Sequence, residues 1–463
     1  MTAPTLPATK PTPLSGIYQG KMKITAGIAL TLIFTVTTKG NEVTSTLAVP
    51  EQGGKPVPVT QTTVSGDAVT FAMSNIGATF AGTRSADGAT ISGTFTQSGR
   101  NFPVTLSKTN KPLVYERPQD PRPPFPYRTE DVSYPNPKAP GVTLAGTLII
   151  PPGKAPFPVV LFITGSGPQD RNEEILGHRP FWVIADYLAR RGIASLRVDD
   201  RGVAKSTGDF RAATTADFAT DTRAGVAYLL TRRDVVDTKH IGLIGHSEGG
   251  VIAPMVAADT PAVSFIVLLA GSTVPGDAIL AEQRRLIERA AGATDAQIAQ
   301  GETIVAPLTA IAKTTPDAAA RKAKLAAERA AIVKSFPPNQ RAAAGAEAAQ
   351  VIQSLDSPWM RYFLQYDPRP VLEKVKCPVL AINGANDLQV PPQQNLPVIA
   401  TALKAAGNTD VTTRELPGLN HLFQHSKTGA PSDYADISET FAPEALAVVG
   451  DWIAAHTTAA KKP

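Results

Sequence analysis

Five consecutive residues, Gly245-His246-Ser247-Glu248-Gly249, constrain this chain more than any other stretch, because they set a serine between two glycines directly after the apolar run Ile241-Gly242-Leu243-Ile244. That run reads as a buried strand, and Gly249-Gly250-Val251-Ile252-Ala253 reads as a helix whose small residues let it lie close to a sheet. A strand that turns at once into a helix holds the residue at the turn in strained backbone, and side chains two positions either side would collide. Glycine at both flanks removes the collision. The pattern is that of a nucleophile elbow, with Ser247 as the candidate nucleophile.

A serine hydroxyl is weak at neutral pH and needs a histidine base oriented by a carboxylate. With an elbow of this kind the order along the chain is serine, acid, histidine, the last two on loops after late strands. Cys377 to Gly384 reads as a buried strand ending in a turn that carries Asp387; Thr412 to Leu416 reads as a short strand, and Pro417-Gly418-Leu419-Asn420-His421 follows it. His425 is the rival base, and His421 is preferred because it stands nearer the strand end. His246 reads as a packing residue of the elbow, and His178, His240 and His456 as surface or element-end residues. An oxyanion hole needs backbone N–H groups aimed at developing charge. The strand Val159 to Ile163 opens into Thr164-Gly165-Ser166-Gly167-Pro168, so the expected donors are the N–H groups of Ser166 and of Glu248, the residue after the nucleophile.

From about Arg128 onward the chain resembles the α/β-hydrolase superfamily, in particular its bacterial esterase and acyl-hydrolase branch near the bile-acid acyltransferase and acyl-CoA thioester hydrolase group. The matching motifs, in order, are Thr164-Gly165-Ser166-Gly167-Pro168-Gln169-Asp170-Arg171, Asp199-Asp200-Arg201-Gly202, the elbow, Gly384-Ala385-Asn386-Asp387-Leu388-Gln389-Val390-Pro391, and Asn420-His421. The resemblance implies Ser247 as nucleophile, Asp387 as orienting acid and His421 as base. Thr164-Gly165 stands where lipase-like members carry histidine-glycine. Asp199, Asp200 and Arg201 are expected to brace their loop by a buried ion pair; Arg171 is expected to order the oxyanion loop, with an anionic substrate group as its other candidate partner.

Strands are expected near 128–134, 142–150, 157–163, 194–198, 240–245, 265–269, 379–383 and 412–416, alternating with helices, which calls for a mostly parallel sheet covered on both faces. The alternation breaks at residues 275–356, rich in Ala, Glu, Lys, Arg and Gln, with strong helical character over 281–291 and 318–333. This reads as a helical cap inserted into a catalytic domain made of 128–274 and 357–463.

Near the start, Lys21-Met22-Lys23 and the apolar run to Val36 resemble a signal peptide, but about twenty residues precede them and no small-residue cleavage site follows. Ile28, Leu30, Leu32, Phe34 and Val36 alternate with their neighbours at the strand period. Turn signals at Lys39-Gly40-Asn41, Ser65-Gly66-Asp67, Ala86-Asp87-Gly88 and Ser98-Gly99-Arg100 punctuate further short runs. The expectation is a small antiparallel β-domain, barrel or sandwich, over 15–108, then a proline-rich linker over 109–127. The lead Met1-Thr2-Ala3-Pro4 carries no export signal; an exported protein, periplasmic or secreted, whose signal has been removed would look like this, and so would a cytoplasmic one.

With 463 residues the chain has length for two or three domains, and 43% hydrophobic with 18% charged residues is the balance of an ordinary globular protein. A net charge of +5 without a basic stripe argues against a nucleic-acid partner, and no stable membrane insertion is expected. The single cysteine, Cys377, excludes an internal disulfide and reads as a buried thiol; neither metal nor organic cofactor is implied. The expected activity is hydrolysis of small-molecule carboxylic esters of small to medium acyl groups through an acyl-enzyme, with homo-oligomerisation left open. Thioester hydrolysis, acyl transfer and peptide cleavage are the alternatives on the same triad, and a binding module with a vestigial triad is the alternative from another class.

Overall fold

The computed structural model describes residues 14–457 apart from 26, 27, 41, 53 and 98. Met1-Thr2-Ala3-Pro4, and Asn41 and Ser98 of two turn signals, lie outside the described residues. The chain divides into two compact units, Met1–Arg117 with Ile175–His178 and Tyr434–Ser438, and Pro118–Glu174 with Arg179–Asp433 and Glu439–Pro463.

The first unit is an antiparallel meander of β1 (Gly16–Thr25), β2 (Ile28–Lys39), β3 (Glu42–Ala48), β4 (Val57–Pro58), β5 (Gln61–Ser65), β6 (Ala68–Met73), β7 (Ala78–Arg84), β8 (Thr90–Gln97) and β9 (Arg100–Thr109), ordered β4-β3-β2-β1-β9-β8-β7-β6-β5. The two ends of the sheet meet, since Val59 N–H donates to the Ser45 carbonyl at 3.0 Å and the Ser45 and Thr62 hydroxyls bond. The sheet therefore closes as a barrel. Alternate residues point inward, so Phe34, Phe71 and Phe80 stack in its core with ring centroids 4.4 to 6.0 Å apart.

The second unit carries β10 (Arg128–Pro135), β11 (Thr143–Ile150), β12 (Phe157–Ile163), β13 (Ala194–Val198), β14 (Val236–His246), β15 (Val263–Leu269), β16 (Val379–Gly384) and β17 (Val411–Leu416), ordered β10-β11-β13-β12-β14-β15-β16-β17. Only β11 runs against its neighbours, and from β13 to β17 the sheet is parallel. This is the topology of the α/β-hydrolase fold. All eight strands fall where the sequence places them; β14 starts earlier because Val236 pairs with Phe157, a contact hidden in the sequence by polar Asp237-Thr238-Lys239. Buried on both faces, the strands split their apolar residues between two cores. Val159, Leu161 and Ile163 of β12 face one, Val160 and Phe162 the other. Helices α1 (Pro180–Ala189), α2 (Thr215–Thr231), α3 (Gly249–Ala257), α10 (Pro392–Ala405) and α11 (Pro443–Thr457) supply residues to these cores. Gly242 is needed at its place: a Cβ there would stand 2.1 Å from the Phe265 ring.

Between β15 and β16 lie α4 (Gly276–Ala290), α5 (Asp295–Thr314), α6 (Ala318–Ser335), α7 (Arg341–Leu355), α8 (Pro358–Gln365) and the single turn α9 (Arg369–Leu372). Thr294 and Asp317 cap α5 and α6. Ile304, Leu308 and Ala312 at helical spacing meet Leu325, Ile332, Ala344 and Ala348 in a core of their own. Helical structure continues past residue 356 through Pro358–Gln365, where Ser357 caps a new helix and Leu364 joins that core. Among the described residues no helix is long and apolar enough to cross a membrane. Cys377 precedes β16 and is only partly buried; burial pushes its thiol up to about 11.

Candidate active site

The elbow has the strain its sequence implies. Ser247 sits at φ +52°, and its N–H donates to the Leu269 carbonyl at 2.9 Å, tying the turn to the end of β15. A Cβ on Gly245 would stand 2.0 Å from the Gly249 carbonyl oxygen, and one on Gly249 would stand 2.2 Å from that of Ile163. No side chain fits at either glycine. Ser247 is half-buried, and among the described residues its hydroxyl has no hydrogen-bond partner.

Asp387 and His421 are brought together from loops after β16 and β17. Asp387 Oδ2 lies 2.8 Å from His421 Nδ1, and its Oδ1 accepts the N–H groups of Gln389 and Val390 at 2.8 Å each. Both side chains are buried. With Nδ1 held by the carboxylate, Nε2 is the nitrogen free to move a proton. Asn420 shapes the loop, its Oδ1 accepting the N–H groups of Leu422 and Gln424. His425 instead faces Glu439 and Glu444 at the surface, and the Glu439 carboxylate raises its pKa above the usual range.

The loop after β12 closes over the elbow. A Cβ on Gly165 would stand 3.3 Å from Ser247 Cβ. The Gly165 N–H is already used, donating to Glu173 Oε1 at 2.6 Å, whereas the N–H groups of Ser166 and Glu248 have no acceptor among the described residues. Asp200 clasps the loop: Oδ1 accepts from the Thr164 hydroxyl at 2.7 Å and Oδ2 from the Gln169 N–H at 2.9 Å. Burial pushes this carboxyl up to about 8, against those two hydrogen bonds, with Glu248 and Glu173 adding to the rise. Asp199 pairs with Arg171 at 2.6 Å and Arg201 with Asp221 at 2.6 Å, so the loop is braced by two separate pairs and Arg171 is committed to structure.

The residues flanking Ser247 make two further links. The Glu248 side chain is buried and its Oε1 accepts from the Thr215 hydroxyl at 2.7 Å and from Trp359 Nε1 at 2.6 Å, so helix α8 reaches the residue after Ser247. Burial raises the Glu248 pKa against both bonds. His246 is buried between Glu173 Oε1, 3.0 Å from Nδ1, and the His421 carbonyl oxygen, 3.1 Å from Nε2. Burial works against charge on this ring, but the Glu173 carboxylate, its hydrogen bond and the His421 carbonyl hold its pKa above the ordinary value. The expectation that His246 only packs is corrected on this point. His178, expected at an element end near the surface, is buried in the first unit with Nε2 2.9 Å from the Tyr434 carbonyl, and burial next to Arg117 lowers its pKa to about 4.

A family model described as the X-Pro dipeptidyl-peptidases (S15 family) matches residues 140–413, more than half of the sequence. The chain belongs to the S15 family. This places it in the α/β-hydrolase superfamily, as its motifs imply; within that superfamily the matching model is S15, whereas the motifs alone point toward the acyltransferase and thioester hydrolase group. The chain is also similar to esterase EstD of Thermotoga maritima, 29% identical over 145 residues that span 31% of this chain and 34% of the esterase. Among solved structures it is similar to the Pyrococcus furiosus esterase Pf2001, at 15% identity and a TM-score of 0.43, covering 75% of this chain and 100% of that one. Puromycin hydrolase is similar at 16% identity and a TM-score of 0.43, covering 93% of this chain and 53% of that one.

The S15 match takes in the loop after β12, the elbow and Asp387, and ends shortly before His421. Three residues of this S15 chain touch the site, and two of them have no signal in the sequence that singles them out. Glu173 lies in a polar run after Gly165 and Gly167, His246 occupies the variable place of the elbow, and Trp359 lies at the end of an alanine-rich insertion. A tryptophan at the start of a short capped helix, after a long run without aromatic residues, is the one feature that distinguishes Trp359.

Proposed function

We propose that this protein is a serine hydrolase that cleaves carboxylic esters of small to medium acyl groups through an acyl-enzyme on Ser247. The observation that carries the reading is the convergence, at the carboxyl end of one parallel sheet, of a strained Ser247, a buried Asp387–His421 pair at 2.8 Å and unengaged N–H groups at Ser166 and Glu248. In this mechanism His421 Nε2 takes the Ser247 proton as Oγ attacks the acyl carbonyl, and Asp387 holds the tautomer and stabilises the imidazolium. The two N–H groups receive the oxyanion. His421 then protonates the leaving alcohol, and water, deprotonated by the same ring, releases the acid.

In this reading the inserted helices form a cap, and the bond from Trp359 to Glu248 supports it, since it brings α8 to the elbow. Likeness to an esterase over part of the chain favours esters, and membership of the S15 family favours a second reading, cleavage of peptides on the same triad. One experiment separates them. A fluorophosphonate probe followed by mass spectrometry should modify Ser247, and kcat/KM should be compared over p-nitrophenyl esters, acyl-CoA thioesters and X-Pro p-nitroanilides. Ester turnover well above both other classes supports the first reading; preference for the anilides replaces it with the second; absence of labelling and turnover removes the enzyme reading.

A further inference from the structure

The Asp387–His421 pair has a second imidazole and carboxylate beside it that the reaction above does not use. His246 precedes Ser247 directly, its ring centroid is 4.8 Å from that of His421, and both its nitrogens face oxygen atoms. The His421 carbonyl can only accept, so Nε2 carries a hydrogen. Glu173 Oε1, the oxygen that faces Nδ1, also accepts the Gly165 N–H at 2.6 Å. A carboxylate can only accept as well, so a ring that satisfies both oxygens carries a hydrogen on Nδ1 too, which is the imidazolium form.

Through these bonds one ion pair joins three loops: the Gly165 loop after β12, the elbow after β14 and the His421 loop after β17. Glu173 is itself buried at φ +51°, a strain that persists only where surroundings over-determine the backbone. The titratable groups that act on His246 are Glu173, His421 and Asp387. A small cavity beside this pair is lined otherwise by apolar residues, including Phe181, Leu269, Leu422 and Phe423.

We propose that Glu173 and His246 form a proton-dependent clamp that sets the oxyanion loop and the His421 loop against Ser247, so that loss of one proton from this pair lowers turnover. The proposal rests on the triad reading above. Both residues are positioning residues. Removing the proton leaves a ring lone pair facing a carbonyl or carboxylate oxygen in a dry interior, where an unmade hydrogen bond is most costly. The folded-state pKa of His246 lies above its ordinary value, so the clamp is whole below it and is released as pH rises through it.

The test is the pH dependence of kcat/KM on a p-nitrophenyl ester, with the histidine side-chain 15N spectrum as a readout independent of turnover. Wild-type protein should show an alkaline limb. Glu173→Gln should move that limb down by roughly one to three pH units, as expected for removal of a neighbouring opposite charge. His246→Gln offers an N–H but cannot titrate, and should abolish the alkaline limb. In Ser247→Ala protein at neutral pH, both His246 nitrogens should appear protonated. An absent alkaline limb, a limb identical in wild type and both variants, or a neutral His246 in the spectrum overturns the clamp. If Glu173→Gln does not fold, His246→Gln and the spectrum still decide. Failure of the triad reading looks different: Ser247→Ala would then keep its turnover, whatever the limb does.

Discussion

In the amino-terminal sheet left-handed backbone falls on glycine, at Gly40, Gly66, Gly77, Gly88 and Gly99, whereas in the hydrolase unit it falls also on Glu173, Ala204, Ser247, Ala270 and Phe423. A non-glycine residue held there costs on the order of 1–3 kcal/mol. The first sheet avoids that cost. The second accepts it, and four of its five such residues lie on loops that follow β12, β14, β15 and β17, where Ser247, Gly165 and His421 are found. The contrast teaches that one sheet is a meander obeying local turn rules, while the other concentrates strain at the end where its chemistry is proposed.

The sharpest way to break this contrast is at Ser247. Replacing it with alanine should lower ester turnover by roughly three to six orders of magnitude, the scale for a triad nucleophile, with circular dichroism unchanged; a variant retaining a tenth of wild-type turnover removes the assignment. His421→Ala should be nearly as severe. Asp387→Asn should be somewhat milder, and His425→Ala should stay within a few-fold of wild type because its ring is engaged by Glu439 and Glu444. A reversed order of the two histidines in the same kinetic assay would move the base.

A smaller effect is expected at Trp359. Trp359→Phe keeps a ring to stack on Phe363 but removes the donor to buried Glu248. The loss of one hydrogen bond to a buried carboxylate, about 1–3 kcal/mol, should lower kcat/KM by about tenfold or more and alter the preference for acyl-chain length; an unchanged ester series would show that α8 does not act on the elbow.

The smallest effect should come from Gly66 of the first unit, set beside Gly245 of the second. Gly66 at φ +59° has open space around it, so Gly66→Ala should cost only about 1–2 kcal/mol in a thermal melt and leave turnover intact. Gly245→Ala, with its Cβ 2.0 Å from a carbonyl oxygen, should lose turnover outright. Equal behaviour of the two variants would erase the distinction between the sheets.

Much of this arrangement is legible in one dimension, because its causes are local. Strand period, helix composition and glycine turns each act over a few residues, and they locate all eight strands of the second sheet and four glycine turns of the first. The spacing of Ser247, Asp387 and His421 relative to strand ends also follows, since a parallel sheet delivers successive loops to the same edge. What the sequence does not reveal is the choice among contacts between loops. That Asp387 meets His421 while His425 turns to Glu439 depends on the fold of the loop around Asn420.

By itself, then, the sequence determines the order of strands, the elbow and the residue types able to act as nucleophile, acid and base, because steric and hydrophobic rules over short distances suffice for these. Tertiary structure alone decides that Glu173, His246 and the His421 carbonyl form one hydrogen-bonded group, and that Trp359 reaches Glu248 across 111 positions of chain. Such pairings are set by how layers pack and by which buried polar groups must find partners, and neither is written in the spacing of residues along the chain.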